Sequence, residues 1–196
     1  MSLRDVMVDE LKDLYSAENQ LVKALPKLVK GAKDPSLKQL FATHLDETKE
    51  QVIRLKEIFT QLEEKPTGQH CNGMEGVIEE GADALEKDEE GASFDSGIIG
   101  AALRTEHYEI AGYQAAIAMA QALGLEAAVA LLNLTLDEEN LAAAKIKSAA
   151  EPILAKSAEE PEKPEKLKSG KEKYSAKKSV EDEKKAAPDL KKRKAS

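Results

Sequence analysis

The chain contains no tryptophan, a single cysteine, and aromatic residues at only 4% of positions. One thiol, Cys71, excludes an intrachain disulfide framework and suits a reducing cytoplasm. No apolar run approaches the roughly 20 residues needed to cross a bilayer, so a membrane role is not expected. The start of the chain, Met1-Ser2-Leu3-Arg4-Asp5, lacks the basic-then-apolar pattern of a secretory signal. β-Branched and aromatic residues are too sparse for an extensive sheet. What remains is rich in Ala, Leu, Glu and Lys, the composition of an all-α protein.

The net charge of −8 conceals two opposed regions. Residues 156–196 carry 14 Lys/Arg and 9 Asp/Glu, a net of +5. Residues 1–155 then hold 15 basic and 28 acidic side chains, a net of −13. The 196 residues therefore divide into an acidic domain, 1–155, and a Lys/Glu-rich tail, 156–196, with almost no large apolar residue. That tail is expected to be disordered, because it cannot bury enough apolar surface to offset ordering.

Apolar residues recur at 3.6-residue spacing in four long stretches. The first runs from about Leu3 to Val29, with Leu11, Leu14, Leu21, Leu25 and Leu28 on one face and Pro26 as a potential kink. The second runs from about Ser36 to Leu62. A turn-rich connection follows, with a shorter helix from about Met74 to Lys87. The third long helix spans about Asp95 to Leu123, and Gly124 fits its C-cap. The fourth begins near Glu126, shows Leu131, Leu134, Glu138, Leu141 and Lys145 on one face, and is expected to close at Pro152. Two short turns joined by one connection of about thirty residues give two antiparallel hairpins in a four-helix bundle with one long crossover.

The apolar faces are interrupted by polar residues: Glu18, His44 with Glu47, Glu106 with Glu109, and Glu138. One glutamate on a helix face is ordinarily a boundary residue that reaches outward to water. The same interruption on all four helices is different, because burying a lone carboxylate costs several kcal/mol or forces it to become neutral. Measured from the connecting turns at ~1.5 Å per residue, Glu18 stands at about 20 Å and His44/Glu47 at about 12–17 Å. In the second hairpin Glu106/Glu109 stand at about 22–27 Å and Glu138 at about 18 Å. Each hairpin thus brings its polar residues to one level. Residues at i and i+3 share a face, so both pairs can chelate. Five carboxylates and one imidazole form a hard, oxygen-rich set suited to two Fe ions, or alternatively Mn. Five Glu charges against two divalent ions leave the site near neutral. Tyr15, Gln51, His107 and Tyr113 lie close enough in sequence to support the ligands from behind. His70 and Cys71 are read as loop residues, since two such groups do not make a zinc site.

On Leu14-Tyr15-Ser16-Ala17-Glu18, His44-Leu45-Asp46-Glu47-Thr48, Met74-Glu75-Gly76, Glu106-His107-Tyr108-Glu109-Ile110-Ala111 and Leu136-Asp137-Glu138-Glu139, the chain resembles the YciE/YciF family of ferritin-like bacterial stress proteins. The resemblance spans roughly residues 3–155. It implies a ferritin-like (rubrerythrin-like) bundle, a carboxylate-bridged dimetal centre and a homodimer, without implying a settled reaction. The sequence departs from the usual pair of Glu-x-x-His motifs. Helix 2 has the reverse order, His44-x-x-Glu47, and Leu141 stands where a second histidine would follow Glu138. No four-cysteine module is present to supply electrons. Three functions stay open on these residues: consumption of peroxide or oxygen, iron sequestration without turnover, and a stress protein tethered to nucleic acid by its tail. For the last, Lys177-Lys178, Lys184-Lys185 and Lys191-Lys192-Arg193-Lys194 could touch phosphates. Glu181-Asp182-Glu183 and the acidic domain oppose such docking. Ile53 and Phe59 are apolar residues expected to face outward and to permit a dimer.

Overall fold

A computed structural model describes residues 1–67, 69–86 and 92–160, and these are all helical or connecting. The helices are α1 (Leu3–Gly31), α2 (Pro35–Gln61), α3 (Asn72–Glu86), α4 (Ala92–Ala122) and α5 (Glu126–Glu159). Local chemistry sets their starts. Ser2 and Asp5 form a reciprocal capping box on α1. Asp34 caps α2, with Pro35 in the first turn where its missing N–H does no harm. Gly124 takes φ +69° in the tight α4–α5 turn, a conformation that favours glycine.

Two apolar layers fix the direction of every helix. At one end, Met7, Leu11 and Leu14 of α1 pack with Leu55, Ile58 and Phe59 of α2, Tyr113 and Ile117 of α4, and Leu132 of α5. At the other, Leu37 and Phe41 meet Phe94, Ile98, Ile99, Ile146 and Ile153. The start of α1 therefore lies beside the end of α4, and the end of α2 beside the start of α5. α1 packs on α2 and α4, and α5 on α2 and α4, leaving α1/α5 and α2/α4 as diagonals. α2 and α4 run the same way, so the chain must return along the bundle between them. α3 lies on that return path and packs on α1 and α4. A third apolar group, Ala17, Leu21, Leu25, Cys71 and Met74, seals it there.

Three expectations need correction. Pro152 does not end the last helix, which continues to Glu159. Ile153 is buried in the second apolar layer, and Glu160 accepts from the free N–H groups of Ala92 and Ser93 at 2.8 and 3.3 Å. Packing and capping beyond the proline outweigh one lost backbone bond. The compact unit accordingly runs from Met1 to Glu160, five residues beyond the expected boundary. The tail beyond it, positions 161–196, lies outside the described residues. Phe59 is buried at 1% exposure and makes an edge-on contact with Tyr15 at 6.1 Å. Of the two residues expected to face outward, only Ile53 is exposed. Among the described residues, no helix is long and apolar enough to cross a membrane.

The α1–α2 turn is clamped from a distance. Asp95 is buried at the start of α4 and accepts from Lys33 N at 2.8 Å and Asp34 N at 2.7 Å. Removing this carboxylate strands two N–H groups, so Asp95→Ala should destabilise the bundle by about 2–4 kcal/mol. Urea denaturation measures this directly, and a loss below about 0.5 kcal/mol would contradict the clamp.

Candidate metal centre

Between the two apolar layers lies a polar one. Glu18 from α1, His44 from α2, Glu106 and Glu109 from α4, and Glu139 from α5 are each 4% exposed or less. One donor atom from each of His44, Glu106, Glu109 and Glu139 fits within a 4.8 Å set. His44 Nε2 is 3.5 Å from Glu106 Oε1 and 3.9 Å from Glu139 Oε2, and its Nδ1 is 3.5 Å from Glu47 Oε2. Glu18 Oε1 accepts from the Tyr113 hydroxyl at 2.5 Å. Gln51 Nε2 donates to Glu139 Oε1 at 2.5 Å and to Glu138 Oε2 at 3.1 Å.

Most of the remaining donor atoms have no hydrogen-bond partner: Glu18 Oε2, both His44 nitrogens, Glu106 Oε2, both Glu109 oxygens and Glu139 Oε2. Stranding one buried polar atom costs about 1–3 kcal/mol. Seven at one level make a site that is unfavourable unless something positive fills it.

The electrostatics agree. Burial pushes the Glu18 carboxyl up to about 7 against the Tyr113 hydrogen bond. Burial likewise lifts Glu139 to about 7, opposed by His44. Glu106 and Glu109 are raised well above the usual carboxylate range, first by burial and then by their acidic neighbours. Burial pulls His44 down, but Glu106, Glu47, Glu139 and Glu18 together overcome it and lift the imidazole to about 10. Glu47, at the margin and next to His44, is lowered. Without a metal, the site therefore holds protons.

The sequence matches the family described as "Domain of unknown function (DUF892)" over residues 2–159. The chain belongs to that family. It is 39% identical over 139 residues to Protein YciF of Escherichia coli (strain K12), covering 70% of this chain and 84% of that protein. The crystal structure of the E. coli stress protein YciF superposes with TM-score 0.77 at 36% identity, over 80% of this chain and 99% of the other. YcfI from Rhodopseudomonas palustris gives TM-score 0.73 at 36% identity, over 76% and 94% of the two chains. A Xanthomonas campestris protein at 19% identity and TM-score 0.65 shares the fold.

The residues singled out from this family member's sequence do not all reach the centre. His44, Glu106 and Glu109 do, and Glu18 is buried in the same layer against Tyr113, outside the four-residue set. Glu47 stands at the edge, its side chain 26% exposed. Glu138 does not enter the donor set. Arg54 holds it in a two-pronged ion pair, with Nη1 and Nη2 each 2.6 Å from one of its oxygens. The adjacent Glu139 takes its place at 0% exposure. The physical reason is the turn of α5. Leu134 and Leu141, the expected inward residues, are 53% and 52% exposed, while Leu132, Thr135, Ala142, Ala143 and Ile146 are buried. Alanines and Thr135 make up much of the inner face, so leucine spacing marks the wrong side. Among the four expected supporting residues, Gln51 and Tyr113 touch donor carboxylates. Tyr15 instead packs against Phe59, and His107 is exposed on the far side of α4.

Cys71 is more than a loop residue. It is fully buried, its thiol donating to Asp13 Oδ2 at 2.9 Å and lying 3.0 Å from the Tyr108 hydroxyl. Burial and Asp13 push that thiol up, so it serves as a neutral structural donor. His70 lies beside it but pairs with Glu75 at 3.1 Å.

Proposed function

We propose that this protein is a dimetal-carboxylate protein of a bacterial stress response, holding two Fe ions, or Mn, and reacting with peroxide or oxygen. The observation that carries the reading is the set of seven unpartnered donor atoms buried at one level. Glu18, His44, Glu106, Glu109 and Glu139 would supply the ligands, with Glu47 at the margin outside the set. The stress role rests on the name of the E. coli relative. When bound, the ions supply Lewis acidity and electrons for O–O bond chemistry.

The rest of the layer acts on the ligands. The Tyr113 hydroxyl fixes one Glu18 oxygen and leaves the other unpartnered. Gln51 does the same for Glu139 through its amide. Arg54 draws Glu138 aside and pairs with its charge. The apolar layers above and below exclude bulk water, which strengthens every interaction between them.

Anaerobic reconstitution with Fe(II) or Mn(II) should load about two ions per chain. Metal analysis after desalting measures the count, and occupancy far below one ion per chain would end this reading. Consumption of hydrogen peroxide by the loaded protein then tests the reaction. Full loading without consumption would instead favour sequestration, the reading supported by a donor set with one imidazole.

A further inference from the structure

The buried centre opens to solvent on one side. A narrow cleft between α2 and α5 has His44 and Glu106 at its floor, and Leu40, Thr43, Glu47 and Lys145 nearer its mouth. Its cavity volume is only about 10 Å³, about the room needed for one water molecule. The floor is not satisfied internally, because both His44 nitrogens and Glu106 Oε2 lack hydrogen-bond partners.

Glu47 spans this cleft. One of its oxygens is 3.5 Å from His44 Nδ1 and the other 3.9 Å from Lys145 Nζ. Thr43 and Glu47 also line a shallow shelf outside, where they are joined by Asp46, Glu50, Glu138 and Arg54. A hydrated cation would therefore meet carboxylates on the surface before reaching the cleft. Another cleft, between α1, α3 and α4, is lined mainly by apolar residues such as Leu21, Ile78 and Ala101 and contains none of the donor residues.

We propose that the α2–α5 cleft is the entry route for divalent cations, that Glu47 takes the ion from the acidic shelf and hands it to His44 and Glu106, and that Lys145 is the counterion holding Glu47 across the mouth while the centre is empty. This rests on the reading of the buried layer as a metal centre. The chemistry follows from partial exposure. A divalent ion sheds its hydration shell stepwise and needs a replacement ligand at each step. Glu47 is hydrated on one side and touches His44 on the other, whereas Glu18, Glu106, Glu109 and Glu139 are closed off from water. Lys145 repels the arriving ion and must release Glu47, so it sets a barrier to entry rather than the final affinity.

The test is the rate of Co(II) uptake by the full chain, followed by the metal's visible absorption, with the final count from metal analysis. Thr43→Trp, a plug at an exposed position, and Glu47→Gln should each slow uptake about ten-fold or more without changing the final count. Lys145→Ala should accelerate it several-fold. Ala82→Trp, in the apolar cleft on the other side, should leave the rate unaltered. Wild-type rates in both Thr43→Trp and Glu47→Gln, at normal final count, would overturn the route while leaving the metal centre intact. A lowered final count in either variant overturns it too, because the residue then belongs to the site and not to its approach. No uptake by the wild-type chain overturns route and centre together.

Discussion

Glu139→Ala should lower metal affinity at least about a hundred-fold, while Glu138→Ala, one residue away, should leave the metal count unchanged. The two glutamates differ by about 100° around α5, and that rotation decides their roles. Glu139 is fully buried, with one oxygen held by Gln51 and the other unpartnered. Glu138 is met by Arg54 in parallel 2.6 Å bonds, an arrangement that satisfies both its oxygens and its charge. Its removal should instead cost about 1 kcal/mol through the broken, partly exposed pair. Isothermal titration of the two variants with Mn(II), alongside Glu109→Ala as a second donor-set control, separates them. Equal losses of affinity at positions 138 and 139 would remove the distinction, and loss at 138 alone would reverse it.

That neighbouring pair also shows where the sequence is readable and where it is not. α1 is legible because its inner face is otherwise apolar throughout, so Glu18 stands out as the single acidic interruption. α4 is legible for a similar reason: Ile99, Ala102, Glu106, Glu109, Tyr113 and Ile117 are all buried as their spacing requires. α5 carries leucines on both sides, and its inner face sets Ala128, Ala142, Ala143 and Ala150 among Leu132, Ile146 and Ile153. Small residues let α4 and α5 approach closely, but a hydrophobicity pattern gives alanine little weight. α2 shows a milder form of the same error, with Phe41, Thr48 and Phe59 inside and Leu40 and Glu47 at the margin. Level-matching survives a rotation of one residue, because that moves a side chain only about 1.5 Å along the axis. The height of the site was therefore recoverable, while the choice between Glu138 and Glu139 was not. Asp95 and Arg54 left no periodic signal, since each acts through a single distant partner.

The second large effect is on the stability of the metal-free protein. In an unfolded chain the glutamates ionise near 4.5, whereas in the fold Glu18 and Glu139 keep their protons to about 7. Below pH 4.5 both states are protonated and these groups cost nothing extra. Between 4.5 and 7 the unfolded chain releases protons that the fold retains, so stability falls with rising pH. His44 continues the trend. Its imidazole titrates near 6.5 unfolded and near 10 folded, so its contribution is complete below 6.5 and lost as pH rises towards 10. The metal-free bundle should consequently melt at progressively lower temperature from pH 5 to pH 8. Metal replaces those protons and binds more tightly as pH rises, so the gain on loading should grow over the same range. At a hundred-fold excess over Kd that gain is about 2.7 kcal/mol, or roughly 5–10 °C in Tm for a chain of this size. Glu109→Gln isolates the cause. Both Glu109 oxygens are buried without partners, and the amide keeps the shape without the ionisable group. At pH 8 it should stabilise the metal-free protein, because burial and its acidic neighbours already hold the Glu109 carboxyl well above its ordinary range, abolish most of the metal-induced gain, and flatten the dependence on pH. Thermal melts of both proteins in EDTA and in Mn(II) measure all three effects. A metal-free Glu109→Gln protein less stable than wild type would mean that Glu109 is held by the fold for its own sake. A buried acid that weakens the empty bundle and strengthens the loaded one is a group positioned for its ligand.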